Sequence, residues 1–180
     1  MRRIYSFLTL LVILNFAPAI NANADNTTSD HEKPHEELVG AIDKSTLLGT
    51  SHRSWYKKNY STYSPDQTSL EALAEALNGI QVKVFMGTWC HDSQREVPRF
   101  YKILESSNFD LSNLSLVSLN QGKTSPEGFE KGLDIQRTPT FIFFKDEVEI
   151  GRIVEIPRDS LEGDMLKIVS GQEYKHSYQE

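Results

Sequence analysis

Cysteine is nearly missing from this chain: Cys90 is the sole one among 180 residues. No internal disulfide can form, and metal sites built from several thiolates are excluded. Clustered positive charge is missing too. Nineteen Lys and Arg face 25 Asp and Glu, for a net charge of −6. Without a Lys/Arg patch to neutralise phosphates, nucleic acid and anionic membrane are excluded as main partners. No glycine-rich phosphate loop, nucleophilic serine elbow, internal repeat or low-complexity tract is found. No apolar run reaches the ~20 residues of a spanning helix. What remains is a chain with 38% hydrophobic and 24% charged residues, enough for one packed domain.

The longest apolar run, Ile4 to Phe16, follows Arg2 and Arg3 and precedes Ala22-Asn23-Ala24. A positive start, an apolar middle and small residues around one spacer read as a secretory signal over residues 1–24. An uncleaved N-terminal anchor is the alternative. No cysteine follows the run, so a lipid-modified anchor is excluded. After cleavage no membrane association is expected. The expected compartment is a bacterial periplasm, with a eukaryotic secretory route left open. There the Asn-x-Ser/Thr patterns at Asn26, Asn59 and Asn113 would matter. Export implies an oxidising setting, where a lone cysteine is either a reactive thiol or the attachment point of another molecule. A disulfide-linked homodimer through Cys90 is chemically open, and the oligomeric state is not specified.

Residues 25–66 read as a polar leader and N-terminal extension. The stretch 25–37 has no apolar periodicity, so it reads as flexible. His31 and His35 are four apart, but Pro34 breaks the helix that would align them, so no metal site is expected. Leu38, Val39, Ile42, Leu47 and Leu48 suit a short packed element. Trp55, Tyr56, Tyr60 and Tyr63 suit a cover for part of the core.

From residue 67 to 172 the pattern is clearer. Thr68-Ser69-Leu70-Glu71 matches a capping box, and Leu70, Leu73, Ala74 and Leu77 recur at helical spacing up to Asn78-Gly79. Ile80 to Met86 reads as a buried strand. Gly87-Thr88-Trp89 is a turn. A helix follows from Cys90 to about Ser106, with Val97, Phe100, Tyr101 and Leu104 inward and a kink expected at Pro98. Leu114 to Leu119 suits a strand, and 127–131 a short helix. Thr140–Phe144 and Val148–Glu155 suit a hairpin around Asp146-Glu147. A last helix is expected from about Arg158 to Val169, ended by Gly171. The tail, 173–180, reads as loose. Strand, helix, strand, hairpin and helix in that order give an α/β fold with a mixed central sheet and helices on both faces.

The chemistry gathers at Cys90. A buried strand ends, the chain turns, and a cysteine opens a helix. Unpaired N–H groups and the positive helix end favour thiolate over thiol there, which makes the sulfur a better nucleophile. Ser93 is three residues on, and its hydroxyl is a candidate donor to the same sulfur. His91 can stabilise a thiolate when protonated or serve as a solvent-facing spacer. Asp92 suits the helix start. A carboxylate pair with Glu96 would permit acid–base work, against which Arg95 and Arg99 stand as ion-pair partners.

Trp89-Cys90-His91-Asp92-Ser93 resembles the W-C-x-x-C active site of the thioredoxin superfamily, with Ser93 in place of the second cysteine. Arg137-Thr138-Pro139-Thr140, before the strand at Phe141, resembles that family's cis-proline loop. The resemblance covers about residues 68–170 and implies a three-layer thioredoxin-like sandwich. It implies that Pro139 is cis, that it faces Cys90, and that the Thr138 backbone pairs with substrate. It implies that Trp89 shields the sulfur. Arg137, beside the proline, would attract an anionic group such as a glutathione carboxylate, or else stay solvated. Two departures stand out. Ser93 cannot resolve a mixed disulfide, and Val84 occupies the strand position where thioredoxins carry a buried acid. The expected protein is therefore an exported monothiol redox protein. Cys90 would attack disulfide, sulfenic or glutathionylated partners, and an external thiol would resolve the product. No cofactor is expected beyond glutathione as a co-substrate. The alternative is a non-catalytic module that holds or tethers a client protein. Iron–sulfur binding, as in monothiol glutaredoxins, is not expected, because His91 and Asp92 replace that motif's glycine and phenylalanine.

Overall fold

A computed structural model describes residues 37–179. The signal segment, most of the leader, and His31 with His35 lie outside the described residues. No described helix is long and apolar enough to cross a membrane.

The order of elements is β1 (Gly40–Ile42), α1 (Lys44–Gly49), α2 (Arg53–Thr62), α3 (Gln67–Ala76), β2 (Ile80–Met86) and α4 (His91–Ser106). A 3-10 turn at Leu111–Asn113 leads into β3 (Leu114–Ser118), then β4 (Thr140–Lys145), β5 (Val148–Val154) and α5 (Leu161–Val169). The five strands form one sheet in the order β1-β3-β2-β4-β5. β2 and β3 run parallel, with Val84 opposite Leu116, because α4 carries the chain across between them. β4 is antiparallel to β2, and β5 to β4. The fold is α/β and thioredoxin-like, with a mixed central sheet.

Alternation along the strands separates two cores. Val82, Val84 and Met86 of β2, with Leu116, Phe141, Phe143 and Ile153, pack against all five helices. The inner face of α4 supplies Val97, Phe100, Ile103 and Leu104, each fully buried. Each such side chain contributes roughly 1.5–3 kcal/mol of burial. The opposite face carries Phe85, Val117, Ile142 and Phe144, joined by Leu119. Helices cover the first face as expected. On the second, Leu133 and Ile135 of the 119–139 connection do the covering, and no described helix joins that cluster. The helix expected at 127–131 is a run of turns, with Gly128 and Gly132 at positive φ. Lys83 stays exposed on this face and lies 5.2 Å over the Phe144 ring.

The 38–66 stretch is more structured than its composition indicates. β1 pairs antiparallel with β3, Ala41 opposite Val117. α1 and α2 bury Leu47, Trp55 and Tyr56. The α3 cap also differs from the expected Thr68. Asp66 is the N-cap and accepts from the Ser69 N–H at 2.8 Å, while Thr68 is exposed inside the first turn. α5 starts at Leu161 rather than Arg158, because Ser160 caps it by accepting from the Gly163 N–H. The tail is not loose. Tyr174 Oη donates to buried Asp164 at 3.0 Å, and Ser177 Oγ donates to the Ile156 carbonyl at 2.9 Å.

Candidate functional site

β2 ends at Met86 and the chain turns through Gly87, Thr88 and Trp89. The Cys90 N–H closes the turn on the Gly87 carbonyl at 3.0 Å, and the Cys90 carbonyl accepts the first α4 bond from Gln94. Cys90 is thus the N-cap of α4 rather than its first residue, and its side chain makes no capping bond. The sulfur is left to point away from the helix. It lies 3.0 Å from the carbonyl oxygen of Thr138, to which the thiol donates. Cys90 is half-buried.

Thr138 precedes Pro139 through a cis peptide bond. Both residues are buried. The loop is pinned from two sides: Thr140 Oγ1 donates to the Arg137 carbonyl at 2.7 Å, and the Glu155 N–H donates to the Pro139 carbonyl at 2.7 Å. The Thr138 N–H donates to no acceptor among the described residues. Two segments 48 residues apart in sequence therefore meet at one sulfur.

Trp89 flanks the sulfur. Its Nε1 donates to the Leu119 carbonyl at 3.0 Å. Gly87 makes this possible, since a Cβ there would lie 2.5 Å from the indole. Ser93 differs from its expected part. It is fully buried, and its Oγ accepts from the Gly87 N–H at 3.2 Å, so it ties the turn to α4 instead of reaching the sulfur. His91 is exposed on the first turn of α4. Asp92 pairs with Arg95 at 2.6 Å, and buried Glu96 is held by Arg95 at 2.5 Å and by Arg99 at 3.2 Å. With both carboxylates so engaged, the acid–base pair is not formed.

A groove of about 430 Å³ opens at the sulfur, lined by Trp89, Cys90, Lys123, Arg137, Thr138 and Glu155. Arg137 is neither simply solvated nor free for an anion. It pairs with Glu155 at 3.0 Å, and its guanidinium lies 3.8 Å from the centre of the Tyr178 ring. Among the described residues no group of three or more His, Cys, Asp or Glu could hold a metal ion.

Three structural contributors carried no sequence signal of a part at this site. Leu38 donates its N–H to Thr88 Oγ1 at 3.2 Å and accepts from Ser118 Oγ at 2.6 Å. Gln94 Nε2 donates to the Thr88 carbonyl at 2.8 Å. Thr88 thus fastens the Cys90 turn to both the extension and α4. Tyr178 reaches the groove from a tail whose composition looks merely polar.

No protein-family model and no curated protein matches the chain. Among solved structures it is similar to an HIV epitope-scaffold, with 17% identity, 74% of this chain and 94% of that chain covered, and a TM-score of 0.56. It is also similar to a protein of unknown function from Pseudomonas aeruginosa: 18% identity, 72% and 81% covered, TM-score 0.46. For the oxidised mitochondrial thioredoxin 3 of Saccharomyces cerevisiae, identity is 23%, coverage 53% and 86%, and the TM-score 0.32. At 17% identity the likeness to the epitope-scaffold is one of fold alone.

Proposed function

We propose that this chain is an exported monothiol thiol–disulfide redox protein acting through Cys90. The observation that carries the reading is the 3.0 Å approach of the Cys90 sulfur to the Thr138 carbonyl across an open groove. A sulfur at a helix start, beside a Thr138 N–H with no acceptor among the described residues, suits a partner chain laid along Thr138 with its own sulfur against Cys90.

The chemistry balances without a second protein thiol. The Cys90 thiol gives up its proton to water before it attacks, since the thiolate is the nucleophile. On a glutathionylated partner the thiolate attacks the glutathione sulfur. A new S–S bond forms to Cys90, the old one breaks, and the partner leaves as a thiolate that takes up a proton. A second glutathione thiolate then attacks the bound glutathione sulfur, giving oxidised glutathione and free Cys90. Ser93 takes no part, being buried and bound to Gly87. His91, exposed beside Cys90, is available to offset charge on an incoming group. The signal-like run at 4–16 supports an exported, periplasmic setting.

The buried Ser93 also supports a second reading, a tether that holds a client as a lasting mixed disulfide. One assay separates the two. The chain from residue 25 and its Cys90→Ser form are given a glutathionylated peptide with glutathione in excess. Turnover lost in Cys90→Ser is expected. A single stoichiometric mixed disulfide without turnover assigns the tether instead. No reaction at Cys90 in either format removes both.

A further inference from the structure

The tail after α5 does more than pack. Ser177 Oγ anchors it to the Ile156 carbonyl, and the Tyr178 N–H donates to His176 Nδ1 at 3.2 Å. This turn aims Tyr178 back at the groove. Its hydroxyl donates to Glu155, and its ring lies 3.8 Å from the Arg137 guanidinium. Both partners line the groove that holds Cys90. Arg137 follows Gln136 in the loop and pairs with Glu155 at 3.0 Å. A planar guanidinium against an aromatic face is held in orientation as well as by charge. The carboxylate of Glu155 cancels the charge, while the Tyr178 ring covers one face and the Tyr178 hydroxyl fixes the carboxylate.

We propose that Tyr178 is a specificity-determining residue of the Cys90 groove: with Glu155 it holds Arg137 in an ion pair and a ring contact, so that the docked tail weakens the pull of Arg137 on a carboxylate carried by the sulfur partner. This rests on the reading of Cys90 as the attacking thiol. With the tail docked, Glu155 offsets Arg137, and Lys123 is the remaining charged side chain in the groove lining. With the tail displaced, Arg137 can swing over the groove and receive a carboxylate beside Cys90.

Because Cys90 is the sole thiol, alkylation reports on it alone, and no turnover is needed. Initial rates are measured with neutral iodoacetamide and with anionic iodoacetate. Each reagent forms one carbon–sulfur bond to Cys90 and releases iodide. In Tyr178→Ala, and in a chain ending at His176, the iodoacetate to iodoacetamide rate ratio is expected to rise about threefold, the size of one unit charge acting through water at ~7 Å. The rise should vanish in an Arg137→Gln background and shrink in 1 M salt, where charges are screened within ~3 Å. Tyr178→Phe, which keeps the ring, should give a smaller rise. A ratio unchanged by Tyr178→Ala and by truncation, or raised equally with Arg137→Gln, overturns the proposal. Absent turnover with glutathionylated peptide but a shifted alkylation ratio would remove the redox reading and leave the Tyr178 gate standing.

Discussion

The Asn59 side-chain amide on α2 donates to the Gln94 carbonyl on α4 at 3.0 Å. That carbonyl is the helical acceptor for residue 98, and Pro98 has no N–H to offer. Asn59 supplies the missing donor and bonds the Trp55 carbonyl as well. Asn59→Ala is therefore expected to lower the unfolding free energy by about 1–3 kcal/mol, the usual cost of an orphaned, partly buried acceptor. In a Pro98→Ala background, where the helix provides its own N–H, the same change should cost about 1 kcal/mol less. Urea unfolding of the four proteins reads this coupling. Strictly additive losses would mean that the two residues act separately.

Thr88→Val keeps the shape of the Cys90 turn and removes the acceptor for the Leu38 N–H. A loss of about 1 kcal/mol is expected. Amide exchange should quicken at Gly40 to Ile42 before it quickens in α5. Equal protection of β1 in both proteins would show that this bond does not hold the strand.

The α3 start offers a plain test of capping. Asp66→Ala should lower the urea midpoint, and Thr68→Ala should leave it near the wild-type value. The Ser69 backbone and side chain hold the Asp66 carboxyl below its ordinary value of 3.8. A depressed carboxyl stabilises the fold above its unfolded pKa, and that gain is lost as pH falls through the folded value. The gap between Asp66→Ala and wild type should thus close below about pH 4. A gap that does not narrow as pH falls below 3.8 and through the folded value would assign it to something other than the charged cap.

His176 makes tail docking pH-dependent. Burial, and then the charge of Arg152, pull its imidazole below the ordinary 6.5. Glu149 and Tyr174 share the same groove. Only neutral His176 can accept from the Tyr178 N–H. Docking is therefore complete above pH 6.5 and weakens as pH falls through the lower folded value. Tryptophan fluorescence or amide shifts at Tyr178 should record the change. His176→Asn, which keeps an acceptor without a titrating ring, should flatten it. An identical pH profile in that variant would point to another group.

The sequence made some parts of this molecule readable and hid others for physical reasons. β2, the turn at Gly87 and α4 were legible because alternating and helical periods meet at a glycine-containing turn. The meeting of Cys90 with the 137–139 loop was legible only through the thioredoxin-like motifs. β1 has three residues, too few for an alternation to register. Ser, Trp, Tyr, Asn and Thr, whose helical preference is weak, fill most of α2, and it stands on packing of Trp55 and Tyr56. Thr68 was mistaken for a cap because Asp66, two residues earlier, offers the same chemistry. Ser93 differs from its expected part because its side chain is buried on the Gly87 side of the turn, where its Oγ accepts from the Gly87 N–H, a placement that spacing does not show.

The connection from 119 to 139 has two duties. It seals Leu119, Phe85 and Ile142 beneath Leu133 and Ile135, and it delivers Thr138 to the sulfur. A protease cutting at the exposed bend near Gly128 would leave both fragments folded together at first, yet free the lid over those side chains. The same nick would then let Thr138 drift from Cys90, so limited digestion and loss of thiol selectivity should advance at a single pace.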